Sequence, residues 1–238
     1  MKTISVITAT YNAEVRLPGL IASLRAQTDQ NFEWIVVDGQ SSDRTLQVLH
    51  EAGALVARVI SEADFGIYDA LNKGVRIASG DYYLVLGADD ILSPDAIANY
   101  RAALSGDQQD IVTARVRAGA RILEVCTGQA WIYGMRGFIS AHSIGALIRR
   151  NLHETHGYYS RKFPIAADHL FINTVARAGA RIKVCDFVAG EFGMDGVSSV
   201  DTLGTISEAF RVQLKTGFAK FPQLVLYALR LANNYFRF

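Results

Sequence analysis

Short β-branched and apolar runs alternate with amphipathic stretches through residues 1–90. Ile4 to Thr8 and Phe32 to Val37 read as strands, and LPGLIASLRAQT between them reads as a helix, the signature of a βαβ unit in a parallel sheet. Asp43 to Gly53 predicts a second helix, with Ser42 or Asp43 capping its start and Gly53 ending it. Ala57 to Ser61 predicts a third strand, Ile67 to Ala78 a third helix, and Tyr82 to Leu86 a strand buried on both faces. Together these make a doubly wound α/β unit.

Downstream, Ser93-Pro94 opens a helix that runs to about Leu104, since Ser caps and Pro suits the first turn. Asp110 to Val116 and Arg121 to Val125 read as strands joined at Ala118-Gly119. The segment GQAWIYGMRGFISAHS precedes a helix near Arg149 to Thr155. A further helix covers Ala167 to Ala178, and a strand covers Arg181 to Phe187. Neither a repeat nor a low-complexity linker interrupts the chain.

Beyond Pro222, the residues Val225, Ala228, Leu229, Ala232, Tyr235 and Phe236 recur at helical spacing, opposite Gln223, Arg230, Asn233 and Arg237. From Arg211 to Phe238 there are five basic side chains and no acidic one. A basic, aromatic, amphipathic helix of this kind suits reversible attachment to an anionic membrane, each cation contributing about 1 kcal/mol before screening. The competing role is packing on the rest of the chain, or on a second subunit as a homo-oligomer.

The 238 residues are 50% hydrophobic and 20% charged, enough for one large domain with an appendage. A net charge of +1 gives no reason to expect nucleic acid as a partner. Cys126 and Cys185 lie in apolar stretches without metal-ligand spacing and read as buried, reduced thiols. MKTISVITATYN lacks the apolar core and cleavage site of a signal peptide, and no apolar run reaches the ~18 residues of a membrane span. These features predict a cytoplasmic protein, peripheral on the inner face of the membrane if the tail attaches there.

In a doubly wound sheet, ligands bind beyond the carboxyl ends of the strands. Polar residues gather there: Thr8, Thr10, Tyr11 and Asn12 after the first strand, Asp38 to Asp43 after the second, Glu62 and Asp64 after the third, Asp89 and Asp90 after the fourth. Asp38 stands where a carboxylate can accept from a nucleobase imide or a ribose hydroxyl, or simply close a strand-end turn. Asp89-Asp90 supplies hard oxygen ligands for Mg²⁺ or Mn²⁺; its competing role is a solvated pair ahead of the next helix. No GxGxxG follows the first strand, which argues against a dinucleotide-binding dehydrogenase. His153 and His156 in HETH do not make an HExxH motif and read as surface residues. Tyr158 and Tyr159 read as packing aromatics or as a platform for a sugar.

The segments TATYNAE, VVDGQSSDRT, SEADFGIYDALNKG and GDYYLVLGADD, in this order, resemble the family 2 glycosyltransferases of the GT-A fold, especially bacterial enzymes of exopolysaccharide and antigen assembly. AHS at Ala141 to Ser143, IAADHLF at Ile165 to Phe171 and DGVSS at Asp195 to Ser199 resemble the family more loosely. The resemblance implies a Rossmann-like, mostly parallel sheet flanked by helices. It divides the chain into a catalytic domain over 1–200, with a donor half at 1–106 and an acceptor half at 107–200, and a helical tail at 201–238.

The resemblance also implies roles. Thr8, Tyr11 and Asp38 hold the nucleoside of a UDP- or GDP-sugar, with Asp38 at the base. Asp64, Asn72 and Lys73 line the donor pocket, Lys73 offsetting diphosphate charge. Asp90 is the first-choice metal ligand, with Asp89 beside it near the ribose. Gly87-Ala88 stands where the family often carries Asn or Ser. His142 approaches the diphosphate or acceptor, unless it is structural. Asp168 matches the catalytic base, although Asp168-His169-Leu170 departs from the family's Asp-Tyr-Asp.

The implied activity is an inverting, metal-dependent transfer of a sugar from a nucleoside diphosphate to a hydroxyl of a glycan or lipid-linked saccharide in cell-surface polysaccharide assembly. The competing readings are a metal-dependent nucleotidyltransferase, for which TATYNAE lacks the basic phosphate loop, and a nucleotide-sugar-binding protein without turnover.

Overall fold

The structure is a computed structural model that describes residues 2–104, 109–193 and 201–235. The first half follows the alternation in the sequence: β1 (Ile4–Thr10), α1 (Leu17–Arg25), β2 (Phe32–Asp38), α2 (Thr45–Glu51), β3 (Arg58–Ser61), α3 (Ile67–Ile77) and β4 (Tyr82–Val85). β1 is buried without alternation because both of its faces are covered; Val6 and Ile7 point to opposite sides and both are buried. α3 buries Tyr68, Leu71 and Val75, a stripe at helical spacing laid on the sheet.

The chain continues with β5 (Ile91–Leu92), α4 (Ala96–Ala103), β6 (Ile111–Ala118), β7 (Arg121–Leu123), α5 (Ala130–Tyr133), β8 (Ala146–Arg149), α6 (Leu152–His156), α7 (Ala167–Arg177), β9 (Ile182–Glu191), α8 (Thr202–Lys215) and α9 (Lys220–Asn233). The strands form one sheet in the order β3-β2-β1-β4-β8-β6-β9-β5, with β7 on β6. β1, β2, β3 and β4 are mutually parallel, and Thr10 pairs with Asp38 and Asp38 with Ser61, so their carboxyl ends share one edge. Beyond β4 the sheet is mixed: β8 is antiparallel to β4 and β6, β9 is parallel to β6, and β5 is antiparallel to β9. One core, around Trp34, Tyr82 and Tyr100, fills the face under α1 and α4, and the other, around Tyr83, Phe171 and Val175, fills the face under α3 and α7.

Several elements differ from the sequence reading for identifiable reasons. β8 occupies the place where a helix near Arg149 was expected to begin, and the helix starts at Leu152. Three apolar residues followed by Arg149 are too few to show a period, and pairing between β4 and β6 decided the state of this segment. α1 ends at Arg25 rather than Thr28, because the buried Gln27 side chain donates to the carbonyls of Ser23 and Ser93 and accepts from Ile97 N. α4 begins at Ala96, past Pro94, whose carbonyl accepts from Thr28 N.

His153 is buried, not a surface residue: its Nε2 lies 2.7 Å from the Tyr83 hydroxyl and its ring stacks on Phe171. Cys126 and Cys185 are free but only partly buried. The DGVSS segment at 195–199, and the tail residues Phe236, Arg237 and Phe238, lie outside the described residues.

The C-terminal helices pack on the body of the protein, and α9 does so with its polar side. Gln223 Nε2 donates to the Trp131 carbonyl at 2.7 Å, Arg230 donates to the Ile132 carbonyl, and Tyr227 stacks on Phe210 of α8. Phe221, Leu224, Val225 and Leu229 face outward and are exposed. No described helix is long and apolar enough to cross a membrane.

Candidate active site

The loops after β1 and β2 are stitched into one unit. Asn12 Oδ1 accepts from Ser42 N, Asn12 N donates to Ser41 Oγ, Ala13 N donates to Thr45 Oγ1, and Glu14 N donates to Asp43 Oδ2. Asn12 and Gln40 hold positive φ angles of 48° and 63°, a strained backbone that these bonds over-determine. The TYNAE and DGQSSDRT segments are therefore two sides of one hydrogen-bonded platform at the sheet edge.

This platform changes the reading of Thr8 and Asp38. Thr8 is fully buried and its hydroxyl accepts from Trp34 Nε1 at 3.0 Å, so it braces the core rather than facing a ligand. Asp38 is also fully buried: Oδ1 accepts from the hydroxyls of Thr10 and Ser41, and Oδ2 from Ser41 N at 3.0 Å and Ser61 Oγ at 2.8 Å. A carboxylate with that many donors is saturated, and its place is that of an organiser of the turn rather than an open reader of a base. Tyr11, by contrast, is exposed at the mouth of the platform.

Asp64 lies against Gly39, where an added Cβ would come within 2.7 Å of Asp64 Oδ2; only glycine leaves that room. Asn72 is buried and clamps α3 to the backbone of Tyr159, donating to its carbonyl at 2.8 Å and accepting from its amide at 2.9 Å. Lys73 pairs with Glu62 at 2.8 Å and Asp69 at 3.5 Å and donates to the Ala63 carbonyl. Its bond to Glu62 raises its pKa above the ordinary lysine value. Lys73 thus holds the segment that carries Asp64, and Asn72 holds α3 against Tyr159.

The acid pair splits by environment. Asp89 lines a cleft of about 220 Å³. Asp90 is buried, with Oδ2 accepting from Gly87 N at 2.7 Å and Oδ1 from Gly193 N at 3.1 Å, and burial pushes its carboxyl pKa up. His142 stacks on Phe192 at 4.5 Å between ring centroids and lies 4.0 Å from Asp90 Oδ2. A side chain at Gly193 would collide with the Asp89 carboxylate.

Among the described residues no three His, Cys, Asp or Glu side chains are grouped to hold a metal ion. A carboxylate pair without a protein cage still fits Mg²⁺ or Mn²⁺, which bind through one or two carboxylates and take phosphate oxygens and water for the rest.

Asp168 reaches the same cleft from the first turn of α7, and Asp89 and His142 line it too. Its Oδ1 lies 2.6 Å from the Tyr68 hydroxyl and accepts from His169 N at 2.9 Å, while Oδ2 has no partner among the described residues. Burial, then the negative charge of Asp168, raise the Tyr68 pKa well above the usual phenol value, so Tyr68 remains a donor. The start of α7 is fixed by Glu208 of α8, whose Oε2 accepts from Ile165 N at 3.0 Å and Ala166 N at 2.8 Å. Tyr68 lies in the IYDALNKG segment, yet nothing local in that segment pairs it with a residue 100 positions on. Glu208 left no signal in the sequence at all.

Residues 5–184 match the sequence model of the family described as Glycosyl transferase family 2. The chain belongs to that family. A PGL/p-HBAD biosynthesis glycosyltransferase of Mycobacterium bovis (strain BCG / Pasteur 1173P2) is 40% identical over 109 residues, 44% of this chain and 42% of that one, so the chain matches less than half the length of this relative. An uncharacterized glycosyltransferase of Haemophilus influenzae is 28% identical over 197 residues, 74% of this chain and 61% of that one.

Among solved structures, S. aureus TarS 1–349 superposes with a TM-score of 0.70 at 21% identity, covering 99% of this chain and 72% of that one. The mannosyltransferase PcManGT from Pyrobaculum calidifontis, in complex with GDP-Man and Mn²⁺, superposes with a TM-score of 0.70 at 18% identity, covering 98% and 75%. At these identities the likeness shows the fold, which is GT-A. In this family 2 chain Asp89 and Asp168 line one cleft, and the strands that carry the platform end at one edge of the sheet.

Proposed function

We propose that this chain moves a sugar from a nucleoside diphosphate donor to a hydroxyl of a glycan or lipid-linked saccharide, in a single displacement that inverts the anomeric carbon. The observation that carries the reading is that Asp89 and Asp168 line one cleft beside the carboxyl ends of the parallel strands.

In this mechanism the free Oδ2 of Asp168 takes the proton from the acceptor hydroxyl as its oxygen attacks the anomeric carbon. The bond from that carbon to the phosphate oxygen breaks, and the electron pair leaves with the nucleoside diphosphate. Tyr68 holds the Asp168 carboxylate in place and stabilises its charge. Asp89 and Asp90 would hold Mn²⁺ or Mg²⁺, which supplies charge neutralisation for the departing diphosphate. Tyr11, which is exposed, covers the nucleoside, and Asp64 and Lys73 shape the donor side through the loop that Lys73 anchors. His142 flanks the leaving group. Residues 1–106 serve as the donor half and 107–200 as the acceptor half.

A UDP- or GDP-sugar is the donor in this reading. PcManGT is described in complex with GDP-Man and Mn²⁺, and TarS 1–349 in complex with UDP, which supports the class without choosing the base. The substitution Asp168→Asn tests the reading: transfer should be abolished while binding of the nucleoside diphosphate is kept. Unchanged turnover removes Asp168 from the mechanism, and lack of any Mn²⁺-dependent binding across uridine, guanosine and thymidine diphosphate sugars removes the donor assignment. A binding protein without turnover would bind donor and transfer nothing.

We also propose that α9 rests on an anionic membrane surface. Its apolar stripe of Phe221, Leu224, Val225 and Leu229 faces outward, and Lys215 and Lys220 nearby are exposed without an acidic residue anywhere in 211–235. That charge pattern favours an anionic bilayer over a second copy of a near-neutral chain.

A further inference from the structure

Among the described residues, the buried side-chain polar atoms without a partner are Arg136 Nε, Asn173 Nδ2, Asn173 Oδ1 and Gln213 Oε1. Every one belongs to a residue that lines a single cavity of about 280 Å³, enclosed by the turn at 134–137, α7, α8 and α9. Orphaned polar atoms are costly in a packed interior, so their collection in residues that line one open space points to water or a ligand that reaches them through it. His169 lines this cavity and also the cleft that holds Asp89 and Asp168, so one side chain stands between the two.

The chemistry of the wall selects the occupant. Arg136 and Arg230 both line the cavity, and among the described residues no Asp or Glu does. Arg230 is held in place by the Ile132 carbonyl, and burial lowers its pKa. An uncompensated pair of guanidiniums calls for an oxyanion, which they recognise through directed N–H donors. The Asn173 amide offers a donor and an acceptor, and Gln213 Oε1 an acceptor, while its Nε2 is occupied by the carbonyls of Ala130 and Trp131. Groups that both donate and accept match sugar hydroxyls.

We propose that this cavity binds a saccharide carrying a carboxylate or phosphate group, its anion between Arg136 and Arg230 and its hydroxyls on Asn173 and Gln213, as an acceptor subsite beside the catalytic cleft. The inference rests on the transferase reading above, since it assigns the occupant as the acceptor.

Calorimetric titration of the full chain with glucuronate, glucose 6-phosphate, inorganic phosphate and glucose tests it, with UDP and Mn²⁺ as a separate titration. Glucuronate or glucose 6-phosphate should bind more tightly than both glucose and inorganic phosphate, and whichever does so identifies the anion. Arg136→Gln should weaken that binding about ten- to hundredfold while leaving UDP binding as it was. Arg230→Lys, which keeps the charge and a donor for the Ile132 carbonyl, should weaken it less.

Equal binding of glucose, binding of inorganic phosphate as tight as the sugar phosphate, no binding of either anionic sugar, or indifference to Arg136→Gln each overturns the subsite, the cavity then being water-filled. Should Arg136→Gln fail to fold, the wild-type ranking of the four probes decides by itself. Failure of UDP to bind the wild-type chain strikes the transferase reading instead, and the two failures are told apart in the same experiment.

Discussion

The Tyr68 hydroxyl sits 2.6 Å from Asp168 Oδ1, tying the first turn of α3 to the first turn of α7. That bond holds the carboxylate in one orientation, so Tyr68→Phe should lower kcat by about tenfold while leaving binding of the nucleoside diphosphate as it was. An unchanged kcat would mean that Tyr68 does not serve Asp168.

Asp89 and Asp90 should separate in their effects. Asp89→Asn should remove Mn²⁺-dependent donor binding with little change in stability, because its carboxylate faces the cleft. Asp90→Asn should do the same and also lower stability by about 1–3 kcal/mol, as the amides of Gly87 and Gly193 lose a charged acceptor. Thermal melts with and without Mn²⁺ read both; equal stability loss in the two variants would contradict the split.

His153 should make the protein sensitive to mild acid. Burial lowers its pKa from 6.5 to about 4, so between these values the unfolded chain binds a proton that the folded one does not. Stability is therefore fully present above about pH 6.5, falls as the pH drops towards 4, and flattens below it, a loss of at most roughly 3 kcal/mol for this group. Urea unfolding at a series of pH values should show that slope in the native protein and a shallower one in His153→Phe, which keeps the stack on Phe171. Parallel slopes would exclude His153 as the source.

The outward stripe of α9 should govern membrane attachment. Sedimentation with anionic vesicles should fall sharply on Leu224→Ser with Leu229→Ser, and neutral vesicles should capture less of the native chain. If both vesicle types retain the double variant as well as the native chain, the stripe has another partner.

The α/β order of the first half was legible because burial writes itself into local sequence: both-sided apolar runs for β1 and β4, and a helical stripe for α3. The collection of polar residues at the strand ends was legible too, since parallel strands place all their carboxyl ends on one edge. The mixed sheet beyond β4 was not, because four residues of β8 carry no period and their state depended on neighbours distant in sequence.

The sequence by itself therefore determined which residue types gather at the site, whereas the tertiary structure decided what each one is free to do. Asp38 is closed by Thr10, Ser41 and Ser61, Lys73 is engaged by Glu62 and Asp69, and Asp89 rather than Asp90 faces the cleft. It also turned the polar side of α9 inward. The reason is common to all of these: a motif records the identity of a side chain, but its availability depends on donors and acceptors brought to it by other segments, and those partners exist only once the chain has folded.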